Sequence, residues 1–245
     1  MADQPRVELH LLTYSGPCLT AKAGLSLKGL DFEEVEVTLG SHGDEIEAIY
    51  GEGRRTVPGA IIDGEPVHGS TAILKRLDEI VPEPTLYPDP IANAVREAEL
   101  WADGEYQDLS RRLPWSSLHF RPEAMGTFAG DGPLDPAGTD FAIRFLRSTW
   151  KNLGITAERM AADLDSLPGM VERIEGFASE GLIGAERPTA ADLQIGATTR
   201  ILLTIGDLEP VFEGTTIREV ALRLFPDYPG RIPAGAYPAG WVKTG

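Results

Sequence analysis

A single cysteine, Cys18, stands in the whole chain, so no internal disulfide can form and a reducing compartment is expected. No apolar run approaches the roughly 18 residues that a membrane-spanning helix needs. The start, Met1-Ala2-Asp3-Gln4-Pro5-Arg6, shows no basic segment followed by an apolar one, so a secretory leader is not expected and the protein reads as cytoplasmic. Positive charge is scarce: 22 Lys and Arg face 38 Asp and Glu, a formal net charge of −16. That imbalance argues against nucleic acid or an anionic membrane as partner. Four histidines, at 10, 42, 68 and 119, fall on separate segments and leave no metal-ligand spacing. A phosphate-binding glycine motif and a Gly-x-Ser-x-Gly nucleophile elbow are both missing.

What remains is a chain able to bury two modest cores. Val7–Leu12 reads as a strand, and Thr13-Tyr14-Ser15-Gly16-Pro17 as the turn that follows it. Pro17 suits the first turn of a helix that runs through Ala21, Leu25 and Leu27 and stops at Gly29. Phe32–Leu39 alternates apolar and acidic residues, a strand with one wet face. Residues 40–56 are polar and glycine-rich, with at most a short helix around Glu45–Tyr50. Ala60–Ile62 and Pro66–His68 flank Asp63-Gly64, a strong hairpin signal, and Ser70 is expected to cap a helix with Ile73, Leu74, Leu77 and Ile80 on its buried stripe. This order, βαβ and then ββα, is that of a thioredoxin-like α/β domain, assigned to residues 1–83.

A proline-rich linker follows over 84–90, and beyond it the periodicity is helical. An all-helical domain is assigned to 91–224, with residues 121–138, rich in glycine and proline, expected as a loop. Leu193–Ile205 is nearly all apolar, as a helix buried on every side would be. Thr189 and Asp192, three residues apart, form a capping-box signature just before it. The tail, 225–245, holds too many prolines for regular structure, yet its aromatic residues predict packing against the body.

Two segments in this order, Thr56–Leu74 and Gly181–Leu193, together with Ser15-Gly16-Pro17-Cys18, resemble the cytosolic glutathione transferase superfamily of the serine, theta-like type. The resemblance implies glutathione as co-substrate, a small apolar electrophile as second substrate, a homodimer and a detoxifying transferase. It implies that Ser15, at the amino end of the first helix, steadies the glutathione thiolate. It places Val57 against the cysteinyl backbone of glutathione before a cis Pro58, and Ser70 on the γ-glutamyl carboxylate. It sets Arg55, with Arg54 beside it, near the glycine carboxylate, and Gly40-Ser41-His42 resembles a theta-like loop whose histidine, His42, faces the ligand. Gly69 departs from the pattern, which has Glu or Gln there to meet the ligand's ammonium group. Tyr14 does not fall at the position that tyrosine-type relatives use. Two other readings stand beside this one: a weak or inactive binding protein on the same fold, and thiol–disulfide or peroxide chemistry through Cys18. Trp101, Trp115, Tyr237 and Trp241 are candidates to shape the electrophile pocket, which is expected over Ser15 between the domains.

Overall fold

The computed structural model describes residues 4–130 and 132–243. Strand β1 (Val7–Leu11) lies at the centre of a four-stranded sheet of order β2-β1-β3-β4. Strand β2 (Glu33–Glu36) pairs with it in parallel, and β3 (Gly59–Ile62) and β4 (Glu65–His68) add antiparallel partners. Asp63 and Gly64, both with positive φ, close the β3–β4 hairpin. That conformation matches the right-handed twist of the strands, which is why this dipeptide is favoured in two-residue turns.

Helix α1 (Gly16–Leu27) and helix α3 (Ser70–Ile80) cover one face of the sheet; α2 (His42–Tyr50) follows β2. A side chain at Gly24 would meet the Leu74 side chain at 2.2 Å, so the approach of α1 to α3 requires glycine there. Leu9, Leu25, Leu74 and Leu77 are fully buried between sheet and helices.

Lys28, at the end of α1, is buried to the tip of its side chain. Its ammonium donates to Asp78 Oδ1 at 2.6 Å and to the carbonyls of Val81 and Pro84 at 2.6 and 2.7 Å. Asp78 in turn accepts from the Leu86 amide and the Thr85 hydroxyl. A buried cation survives only when each donor is satisfied. Here Asp78 and Val81 belong to the end of α3 and Pro84 opens the linker, so α3 and the start of the linker are both clamped to α1. The Ala190 amide then donates to the Leu86 carbonyl at 2.9 Å, joining the same segment to the helical region.

That region comprises α4 (Ala92–Trp101), a π-helical turn (Ala102–Tyr106), α5 (Gln107–Phe120), α6 (Pro136–Leu153), α7 (Ala157–Ser179), α8 (Ala190–Leu202), α9 (Glu209–Phe212) and α10 (Thr216–Leu224). Helix α8 is the hub. It packs on α1, α4, α5 and α10, and all but one of its residues are buried. The capping box forms as expected: Asp192 Nα donates to Thr189 Oγ1, and Asp192 Oδ2 accepts from the Thr189 amide at 2.8 Å.

Four expectations need correction. Residues 121–138 are not a plain loop. Pro122–Ala129 winds into 3₁₀ helix, and Asp135 caps α6 from the Gly138 amide at 2.7 Å. Prolines in the first turn of both elements mark helix starts rather than breaks. The helix before Gly51 begins at His42, capped by position at Ser41, three residues earlier than its acidic cluster suggests. The second strand spans only Glu33–Glu36; the Val37 amide still donates to the Leu11 carbonyl at 3.0 Å, while its side chain packs on Ile46 and Tyr50. Ser70 is not a cap but the first residue of α3; Gly69 holds the cap position without a side chain.

The tail is packed as expected. Ile232 bridges Ile205, Asp207 accepts from the amides of Gly235 and Tyr237, and the Tyr237 hydroxyl is buried against Ser116 and the Leu113 carbonyl. No helix among the described residues is long and apolar enough to cross a membrane.

Candidate functional site

Three backbone features converge at the amino end of the α/β domain. β1 runs out at Leu11 and the chain turns through Thr13–Ser15 into α1, whose first amides point back at the turn. Ser15 takes the cap position of α1 with extended backbone, but its hydroxyl does not cap the helix. The hydroxyl is close enough to the Cys18 thiol, one turn on, to offset part of the rise that burial causes there. Next to this turn comes the Val57–Pro58 bond, which is cis. Val57 is half-buried, and the Pro58 carbonyl accepts from the Gly69 amide at 2.9 Å. The third feature is the start of α3, where no side chain caps the helix. Free amides at a helix start favour an anion.

Gly69 has a structural reason for being glycine. Its φ of 94° and ψ of 144° lie in a region that only glycine adopts without strain. The missing carboxamide or carboxylate at this position is therefore tied to the backbone that opens α3.

Ser70 itself is almost fully buried and its hydroxyl donates to Gln194 Oε1 at 3.2 Å. Gln194 continues the chain: its Nε2 donates to Gln107 Oε1 at 2.8 Å and to Asp103 Oδ1 at 3.3 Å. This polar thread runs from the α/β domain into the helical region through an otherwise apolar interface. Burial holds the Asp103 carboxyl above its ordinary range, with nearby Arg111 pulling the other way. Asp103 and Gln107, four residues apart along the helix, lie on one face and so reach the same amide. Gln194 was not singled out from sequence, although a lone amide inside the apolar run 193–205 was the available sign.

Arg55 is not an open cation. Its guanidinium pairs with Asp44 and with Glu47, both on α2, and lies over Gly43. Arg54 donates to the Tyr50 carbonyl at 2.9 Å. His42 sits in the first turn of α2, with Nδ1 accepting from the Gly40 amide at 3.4 Å. The structure thus brings Ser15, Val57 and the start of α3 to one end of the sheet, and leaves Arg55 engaged by α2.

Cys18 is 1% exposed, and burial pushes its thiol up to about 11. Burial and a raised thiol both work against nucleophilic or redox chemistry there.

A groove of about 700 Å³ runs along the outer face of α1, between Leu19, Ala23 and Leu27 on one side and Leu224, Phe225 and Tyr228 on the other. Thr13 and Lys22 lie at its edge; Ser15 is not among its lining residues. The Tyr228 hydroxyl donates to the Tyr14 carbonyl at 3.0 Å, and the Tyr14 ring meets Phe128 edge-on. Gly230 packs on the Phe128 ring. The tail and the 3₁₀ segment therefore close over the turn that carries Ser15. Trp101, Trp115, Tyr237 and Trp241 do not line this groove. Trp101 stacks on Tyr106, Trp115 meets Phe145, Tyr237 is buried as described, and Trp241 edges a separate cleft with Ala161 and Asp165.

Solved structures share this architecture. A glutathione transferase from Populus trichocarpa matches with a TM-score of 0.59 at 15% identity, over 89% of this chain and 92% of that one. The beta-etherase LigF from Sphingobium matches at 0.57 and 22% identity, over 89% and 93%. A rice glutathione S-transferase solved in complex with glutathione matches at 0.55 and 22%, over 91% and 84%. No curated protein matches the chain in sequence. Residues 9–85, which include Ser15, Val57 and Ser70, match the family described as glutathione S-transferase, N-terminal domain. Residues 9–85 thus match that domain family, and the chain shares the fold of the glutathione transferases.

Proposed function

We propose that the protein is a glutathione-dependent transferase in which Ser15 steadies the glutathione thiolate for attack on a small apolar electrophile. The observation that carries this reading is the Ser15 hydroxyl: it stands at the amino end of α1 without serving as the cap, inside the segment matching the family domain. Rotation about its side-chain bond turns it from the Cys18 thiol toward a ligand sulfur. Each pKa unit by which that hydrogen bond and the helix start lower the thiol is worth about 1.4 kcal/mol. Val57 would pair its backbone with the cysteinyl residue of glutathione. The uncapped start of α3, with Ser70, would take the γ-glutamyl carboxylate. Arg55 and His42 would supply the glycine end, Arg55 only by exchanging one of its two carboxylate partners. The sulfur would then displace a leaving group, or add to an activated carbon, of an apolar molecule held beside Ser15. A homodimer belongs to the same reading, and light scattering tests it.

A second reading has its own support. Gly69 lacks the side chain for the ligand's ammonium, the Ser15 hydroxyl rests on Cys18, and Arg55 is neutralised. These observations fit a protein of the same fold that binds rather than catalyses. Calorimetry with glutathione and conjugation of an aryl halide separate the two. The transferase reading expects millimolar or tighter binding, and a Ser15→Ala variant that keeps its fold but loses at least about tenfold in conjugation, the equivalent of one pKa unit. Binding without conjugation, or conjugation that Ser15→Ala leaves intact, rejects it.

A further inference from the structure

Helix α6 stands apart from the rest of this acidic surface. Between Asp140 and Leu153 it carries Arg144, Arg147 and Lys151 against the single carboxylate of Asp140. All three cations are exposed, and no carboxylate among the described residues lies within ion-pair distance of them. At about 100° per residue they fall on one flank of the exposed stripe. Phe141 and Phe145 fall on the other flank. Phe141 is 64% exposed, the highest value among the large apolar side chains, and Phe145 rests edge-on against Trp115. The Arg144 guanidinium hangs 5.9 Å from the Phe141 ring centre. The opposite side of α6, with Ala142 and Leu146, is buried, so its packing does not need the outer face.

A ring left in water beside three unpaired cations has a cost without a partner, and its chemistry specifies one. We propose that the outer face of α6 docks a short acidic segment of another protein, its carboxylates on Arg144, Arg147 and Lys151 and one apolar side chain on Phe141. Charge complementarity selects this occupant over the alternatives. A net charge of −16 repels an extended anionic sheet or duplex. A narrow peptide meets only the local field of α6, which decays over about 8 Å at physiological ionic strength.

The test uses the intact protein and a labelled synthetic peptide of Asp and Glu around a central Phe-Leu pair, followed by fluorescence anisotropy. The expected result is a dissociation constant in the range of about 10–100 µM at low salt, weakening as salt rises. The Arg144→Glu, Arg147→Glu, Lys151→Glu variant should lose at least about tenfold in affinity, and Phe141→Ser a further few-fold, with unfolding midpoints unchanged because these residues are exposed. Two controls complete it: the same peptide with Lys in place of its acids, and vesicles rich in anionic lipid. Equal binding by the charge-reversed variant, equal binding of the basic peptide, no binding of the acidic peptide, or adsorption to the vesicles overturns the proposal.

Discussion

The starts of α8 and α3 are both helix N-termini at the junction of the two halves, and the chain treats them in opposite ways. At α8 the Thr189, Ala190 and Asp192 amides are all answered: Thr189 and Asp192 cap each other, Ala190 donates to the Leu86 carbonyl, and Asp192 also accepts from the Gly184 amide at 2.7 Å. At α3 the cap is a glycine, no side chain answers the first amides, and the first hydroxyl is turned away toward Gln194. The satisfied terminus is structural and holds the fold. The unsatisfied one lies within residues 9–85, the segment that matches the glutathione S-transferase N-terminal domain. An end of a helix left open in an otherwise well-satisfied molecule is the more informative of the two.

The contrast can be broken first at its strong side. Asp192 is fully buried with three protein donors on its carboxylate, so Asp192→Ala leaves those donors unpaired. It should cost about 3 kcal/mol in urea unfolding, and a loss below about 1 kcal/mol would place the anchor elsewhere. On the open side, Gly69→Gln restores an amide at the start of α3 into open space, but in a backbone region that only glycine adopts freely. A stability loss of about 2 kcal/mol is expected, measured in the same way.

A third comparison concerns charge. Glu99 is fully buried, bonded to Arg96 and the Tyr87 hydroxyl, and burial raises its carboxyl to about 7 from the usual 4.5. A raised folded value means that the ionised form is disfavoured on folding. Its penalty is absent below the unfolded value, grows as pH rises from about 4.5 to about 7, and is complete above that. Glu99→Gln should therefore gain about 1–2 kcal/mol over wild type near pH 8 and nothing near pH 4, seen as a flatter stability–pH profile. The smallest effect is expected at Arg55. Its pairs with Asp44 and Glu47 are solvent-exposed, so Arg55→Ala should change stability by at most about 0.5 kcal/mol. A larger loss would show that α2 depends on this contact.

Local chemistry decided what could be read beforehand. The Asp63-Gly64 hairpin, the Thr189–Asp192 box and the stop of α1 near Gly29 depend on neighbours in sequence, and the structure has them where the residues put them. The failures share a cause as well. Proline at 122 and 136 was weighed as a breaker without its helix-start role, so α6 was placed too late. Ser70 was taken for a cap because its neighbour Gly69 has no side chain to show which of the two holds the special backbone. At the candidate site, Ser15, Val57 and Ser70 lie in the matching domain, but their partners could not be foreseen. The Ser70–Gln194 bond spans 124 positions, and the pairing of Arg55 depends on a helix that begins earlier than expected.

Lys28 gives the molecule a property that outlasts any one contact. Because its ammonium grips Asp78, the Val81 carbonyl and the first linker carbonyl, that of Pro84, while Leu86 is held by Ala190, the connection between the halves is tied down on both sides. Swinging the lobes apart would take an acceptor from a buried cation or break the Ala190 bond. Local give is cheaper: releasing the Tyr228 ring from the turn at Tyr14 costs one hydrogen bond.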